Sequence, residues 1–174
     1  DTALPSIPYR ETIGGNTSVS YKHRKQSGGR GQYGHVVLEI SPGETGKGIV
    51  FSSKVVGGNV PKDFIPAVEK GIRNAAIGGV VAGYPVVDVA VKLTDGSSHS
   101  VDSSGMAFEI AGSMGFRQGV RDARPTLLEP VMKLKILIPD DSAGDVMGDL
   151  NTRRARIGGM EPKGNGLTEI TAEA

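Results

Sequence analysis

Residues 21–36, YKHRKQSGGRGQYGHV, constrain the fold more than any other stretch of this chain. Four glycines fall within seven positions, at Gly28, Gly29, Gly31 and Gly34, where they allow positive φ and let the backbone approach a partner closely. The flanks are β-prone: residues 17–24 carry β-branched and aromatic side chains, and residues 35–40, HVVLEI, read more clearly as a strand. The pattern predicts two strands joined by a glycine-rich tip. From Glu11 to Glu39 there is no carboxylate, while Lys22, Arg24, Lys25 and Arg30 supply positive charge and His23 and His35 flank them. Gln26, Ser27, Gln32 and Tyr33 add hydrogen-bonding and stacking groups, a mixture suited to phosphates and unstacked bases. The same content also suits a solvated basic hairpin, and residue types alone leave both readings open.

The chain has 174 residues, 37% hydrophobic and 22% charged, which is ordinary for a globular protein and long enough for one domain and part of another. The formal net charge of +1 carries no argument about nucleic acid, so any electrostatic case rests on the local cluster. Without cysteine there is no disulfide, thiolate metal site or cysteine nucleophile, and His23, His35 and His99 lack metal-ligand spacing. No apolar run approaches membrane-spanning length, so a soluble protein without a metal site is expected.

Taken in order, residues 1–8 hold two prolines and read as a linker. After the glycine-rich tip and its second strand, residues 49–56 form a further strand. A helix follows from Pro61 to about Ile77, with Phe64, Ile65, Val68, Ile72 and Ala75 at helical spacing. Residues 84–93, YPVVDVAVKL, alternate as a strand, with Asp95-Gly96 expected as its turn. A second helix is expected over 104–123, capped by Asp102 or Ser103, with Met106, Ile110, Met114 and Val120 inward and Pro125 as its stop. This predicts an α+β two-layer domain over 9–126. Residues 127–174 read as strand, helix, strand, strand: a partial ferredoxin-like βαββ unit that stops mid-domain and leaves part of its sheet uncovered.

Several catalytic patterns are excluded. GRGQYGHV matches the glycine loop of protein kinases and VAVK at 89–92 imitates their lysine strand, yet no catalytic-loop or metal-binding motif follows. The glycines precede a strand instead of opening a helix, which removes dinucleotide binding, and GETGKG has the wrong spacing for a phosphate loop. His99 lies between Asp95 and Asp102 in a serine-rich turn, a setting more often structural than catalytic.

YRETI at 9–13, QSGGRGQYGHV at 26–36, VGGNVPKDFIPAVEKGI at 56–72, AGYPVVDV at 82–89, DGSSHSVDSS at 95–104 and LLEPVMKLKI followed by GDVMGDLN closely resemble bacterial-type translation elongation factor G. The resemblance covers nearly the whole chain, as the fourth domain and the start of the fifth. It implies a fourth-domain fold similar to domain two of ribosomal protein S-five, with a left-handed βαβ crossover. It also implies a tRNA-like arm that reaches the small-subunit decoding centre and contacts the tRNA–mRNA duplex. In the family two loops form the tip, which points to Gln26, Ser27, Gly28, Gly29, Arg30, Gly31, Gln32, Tyr33, Ser98 and His99. Lys22, Arg24 and Lys25 are secondary RNA contacts, and Asn151, Arg153 and Arg154 are candidates for large-subunit RNA. GTP and Mg belong to the GTPase domain of a full-length factor, so no cofactor and no catalysis are expected of these residues. A cytoplasmic monomer acting on the ribosome is implied. Two features depart from the family: Gly105 replaces a usual acidic residue, and Thr152 interrupts the arginines after DLN. A paralogue specialised for ribosome recycling or tetracycline protection, or a free-standing RNA-binding module, are the alternatives.

Overall fold

The computed structural model describes residues 3–174, so the first two positions of the expected linker lie outside it. The chain divides into two compact units, one ending at Glu129 and one comprising Pro130–Ala174. In the first, β1 (Arg10–Ile13), β2 (Thr17–Lys25), β3 (Gln32–Pro42) and β4 (Ile49–Ser53) precede α1 (Ile65–Gly78). β5 (Val89–Ser97), α2 (Gly105–Asp122) and β6 (Pro125–Leu128) complete it. The main sheet has the order β2-β3-β5-β4, with β4 parallel to β5 and the other pairs antiparallel. Two helices on one face of this sheet make the expected two-layer α+β fold.

Alternation dictates which side of the sheet is core. Val36, Leu38 and Ile40 of β3 and Val89, Val91 and Leu93 of β5 point inward and are at most 1% exposed. Against them α1 buries Val68, Ile72 and Ala75, and α2 buries Phe108, Ala111, Phe116 and Val120. Phe64 stacks on Phe108 with centroids 5.0 Å apart. Complete burial of Phe108 and Phe116 contributes about 1.5–3 kcal/mol for each ring. The helices approach so closely that a Cβ on Gly71 would collide with the Glu109 carbonyl oxygen, and one on Gly112 would lie 2.6 Å from that of Val68.

That proximity corrects the expected inner face of α2. Met106 and Met114 are exposed, and the buried positions are Ala107, Phe108, Ala111, Gly112, Gly115, Phe116, Gly119 and Val120. Space, not hydrophobicity, selects this face, because side chains larger than glycine or alanine fit the seam only where the neighbours recede. The helix cap is Ser104, whose Oγ accepts from the Ala107 N–H at 3.2 Å, in place of Asp102 or Ser103. Pro61 has extended backbone and precedes a single 3-10 turn instead of opening the helix. β4 ends at Ser53, short of the expected end at residue 56.

Residues 84–93 also divide differently. Asp88 takes a positive φ of 58°, which interrupts any strand there, and β5 starts at Val89. It then runs straight through Asp95-Gly96, the expected turn, because β3 continues to pair with it as far as His35 and Ser97. A register shift between Val37 and Leu38 takes up the extra residue.

Pro125, expected only to stop α2, opens β6, which pairs antiparallel with β1 from Arg10↔Leu128 to Ile13↔Pro125. From β1, Glu11 reaches inward with 1% exposure. Its Oε1 accepts from the N–H groups of Val80 and Val81, both at 2.8 Å, and its Oε2 from those of Ala82 at 2.9 Å and Tyr84 at 3.0 Å. Burial pushes the Glu11 pKa up, but the four amides together outweigh it and hold the group below the ordinary glutamate value.

The second unit follows the expected βαββ order: β7 (Lys133–Pro139), α3 (Ala143–Thr152), β8 (Arg156–Gly164) and β9 (Leu167–Glu173), in sheet order β7-β9-β8. Leu150, Ile170 and Ala172 form its core, with Ile136, Val146 and Ile157 packed around them. On the opposite sheet face Leu137, paired with Glu169, is more than half exposed.

Candidate nucleic-acid interface

β2 and β3 deliver the glycine-rich loop, residues 26–31, and β5 delivers a second loop, residues 98–104, between its end and α2. Strand pairing sets the arms of the first loop, with Lys25 opposite Gln32 and Arg24 opposite Tyr33. The His23 Nε2–H donates to Gln32 Oε1 at 2.8 Å and fastens the hairpin at its neck.

Every bond that laces the two loops together has a backbone group at one end at least. Tyr33 N–H donates to the Asp102 carbonyl at 2.9 Å, and Gly31 N–H to Asp102 Oδ1 at 3.2 Å. Arg30 Nε–H donates to the Val101 carbonyl at 3.2 Å, and Ser103 Oγ–H to the Tyr33 carbonyl at 2.9 Å. A short parallel bridge between Tyr33 and Ser103 makes the second loop a partial extension of the sheet. The loops therefore form one tip, with the Tyr33 and His99 rings 6.2 Å apart between centroids.

Below the tip a hydrogen-bonded chain crosses three strands on the outer sheet face. Ser20 Oγ meets His35 Nε2 at 2.8 Å, His35 Nδ1 meets Ser97 Oγ at 2.9 Å, and Ser97 Oγ meets Tyr33 Oη at 2.8 Å. Burial, and secondarily Lys22, lowers the His35 pKa against the opposing pull of Asp95. A neutral ring is thereby favoured in a position where both nitrogens are already bonded.

Gln26, Ser27, Gly28, Gly29 and Arg30 are exposed, as are Ser98 and His99, while Gly31, Gln32 and Tyr33 are half-buried where the loops meet. Arg24, Gln26, Gln32, Tyr33, Ser98, His99 and Asp102 line a recess of about 270 Å³ between them. Lys22 and Arg24 project from the outer face of β2, and Lys25 ends the strand; all three are exposed. Asn151, Arg153 and Arg154 belong to the other unit, at the C-terminal end of α3, and are likewise exposed. Arg153 is paired with Asp149 at 2.7 Å, which reduces the charge it offers. Arg154 follows the helix with φ 61°, a conformation that glycine adopts at less cost.

The resemblance puts the second tip loop at residues 97–102, which takes in Ser97, Val101 and Asp102 without making them contacts, and it leaves out Ser103. The absence of carboxylates holds within the first loop, but the fold brings Asp102 against it. A signal was present: serines and aspartates clustered in DGSSHSVDSS are the residues that bond neighbouring backbone and shape loops. Among the described residues there is no cluster of three or more metal-ligating side chains, and no helix is long and apolar enough to cross a membrane.

Residues 5–124 match the family model of elongation factor G, domain IV, and residues 126–174 match that of the elongation factor G C-terminus. The chain belongs to the elongation factor G family, translation factors of protein biosynthesis. Over 173 residues it is 50% identical to an elongation factor G-like protein of Thermotoga maritima, covering 99% of this chain and 25% of that protein. A crystal structure of a Thermus thermophilus protein aligns with a TM-score of 0.87 at 43% identity, over 99% of this chain and 26% of that one. The chain thus spans about a quarter of the length of the curated relative it matches.

Proposed function

We propose that this chain is the ribosome-contacting arm of a translocation factor, and that the laced tip enters the small-subunit decoding centre against the tRNA–mRNA duplex. The observation that carries this reading is the joining of residues 26–31 and 98–104 into a single tip through Asp102 and Tyr33. A basic hairpin left idle needs no second loop held against it. A tip that must meet a duplex of any sequence does, because the wide minor groove of A-form RNA offers 2′-hydroxyls in a repeating geometry. Gln26, Gln32, Tyr33 and His99 supply hydrogen-bonding groups for that purpose. Ser27, Gly28, Gly29, Arg30, Gly31 and Ser98 complete the contact surface.

Lys22, Arg24 and Lys25 attract phosphates along the arm, and Asn151, Arg153 and Arg154 contact large-subunit RNA from the second unit. Arg154 stands just beyond α3 with a left-handed backbone, an outlier of the kind that supports a functional reading. GTP hydrolysis, with its Mg, belongs to the GTPase domain of a full-length factor acting as a cytoplasmic monomer; these residues contribute position instead of chemistry. In full-length elongation factor G carrying this chain, His99→Ala with Gln26→Ala slows translocation on the order of a hundredfold, the loss expected from two hydrogen bonds at the contact. Translocation at the unsubstituted rate would remove the tip assignment.

A second reading rests on one observation: the first turn of α2 contains no acidic residue, where Gly105 stands. A paralogue for ribosome recycling would use the same arm under different constraints, and recycling without translocation by the full-length factor selects it.

A further inference from the structure

We propose that His99 acts at the tip as a hydrogen-bond donor through Nε2–H, its tautomer fixed by the backbone of its own loop, so that it recognises an oxygen acceptor on RNA. This rests on the RNA-contact reading above and specifies the chemistry of its most exposed ring.

Two amides converge on one ring nitrogen. The N–H groups of Val101 and Asp102 both donate to His99 Nδ1, at 3.3 and 3.2 Å. A proton on Nδ1 would face both amide hydrogens, so in this loop Nδ1 is the acceptor and the hydrogen of the neutral ring sits on Nε2. The loop is held in that form from outside. His99 N–H donates to Ser103 Oγ at 2.8 Å, and the same hydroxyl donates to the Tyr33 carbonyl of β3 at 2.9 Å.

Asp102 is the one carboxylate with a competing claim. Its Oδ2 lies 3.6 Å from Nδ1, outside hydrogen-bond reach, while its Oδ1 is engaged by the Gly31 N–H. The amides hold the lone pair that Asp102 would need to see protonated. Nε2 has no protein partner among the described residues, and the side chain is half exposed beside Tyr33. A donor held in one orientation on a laced tip selects for an acceptor and loses little freedom on binding. Asp102 and Ser103 are thus positioning residues, acting on RNA only through His99 and Tyr33.

The tautomer is read directly. In long-range proton–nitrogen spectra of this chain, His99 is expected to show an unprotonated Nδ1 and a protonated Nε2, as a single species. Ser103→Ala is expected to move both signals toward the averaged values of a free peptide spanning 97–103. Averaged values in the unsubstituted chain, matching the peptide, would overturn the proposal.

Function is read with two amide replacements in full-length elongation factor G carrying this chain. Glutamine places its NH₂ near the position of Nε2, whereas asparagine places its own near Nδ1. His99→Gln is expected to stay within about threefold of the unsubstituted translocation rate and His99→Asn to fall on the order of tenfold, as His99→Ala does. Asparagine equal to or better than glutamine overturns the donor assignment but leaves the tip's RNA contact standing. His99→Ala at full rate overturns the RNA contact of this residue, and the donor role with it.

Discussion

Glu11 and Asp102 each use a carboxylate to gather backbone amides, and the difference between them separates framework from function. Glu11 is buried, and its two oxygens take four N–H groups from residues 80–84. Every bond it forms points inward, and the outcome is a fixed loop behind α1. Asp102 is half-buried, and its side chain takes one amide, from Gly31. Its backbone holds Tyr33 and His99 in place while their side chains remain available to a partner. Saturated hydrogen bonding makes a strut. Incomplete saturation at the surface leaves groups free for the proposed RNA contact.

The largest effect is expected at Glu11. Glu11→Ala leaves four part-buried amides without their shared acceptor, and at about 0.5–1 kcal/mol for each the loss is roughly 2–4 kcal/mol, measured by chemical denaturation. The pH dependence has a definite sign. Because the folded-state pKa lies below the ordinary value of 4.5, the stability Glu11 contributes is complete above that value and is lost as pH falls through the depressed folded-state pKa. Denaturation midpoints of the unsubstituted chain should fall across that acid range, and those of Glu11→Ala should fall less. A midpoint for Glu11→Ala within experimental error of the parent would break the contrast at its structural end.

Asp102→Ala tests the other end. Its stability loss should be about 1 kcal/mol, because the groups it frees can reach water, whereas translocation by the full-length factor should fall on the order of tenfold. If stability falls as far as for Glu11→Ala, the two carboxylates play the same role and the contrast fails.

The smallest effect belongs to the lysines. Lys22→Ala and Lys25→Ala should each flatten the salt dependence of ribosome binding by slightly less than one in the logarithmic slope, with little change at high salt. An unchanged slope would leave these lysines as solvated surface.

Much of the framework was legible along the chain. Val36, Leu38 and Ile40 alternate in β3, and Val68, Ile72 and Ala75 recur at helical spacing in α1, so each element announces itself within a few residues. The same local reading fails for α2, where Met106 and Met114 carry the apolar signal but Gly112 and Gly115 face the core. It fails again at Asp95-Gly96, where turn-prone residues are drawn into β5 by pairing with β3. In both places neighbours distant in sequence override a local preference.

The candidate site divides along the same line. Charge and glycine content singled out the first loop, and the resemblance to elongation factor G supplied the second. The resemblance implied that the two share one tip, but not the bonds that join them. The bonds that join them, Gly31 to Asp102 and Arg30 to Val101, span 71 residues, and Glu11 meets Val80 across 69.

The sequence by itself determined the alternation of strands and helices, the basic glycine-rich loop and the family, because patterns of period 2 and 3.6 and short motifs are properties of neighbouring residues. Only the tertiary structure decided which face of α2 is buried, how far β5 runs, and that one aspartate ties two loops into a tip. Those outcomes depend on volume shared between elements and on hydrogen bonds closed across long stretches of chain, and no local window of sequence contains both partners.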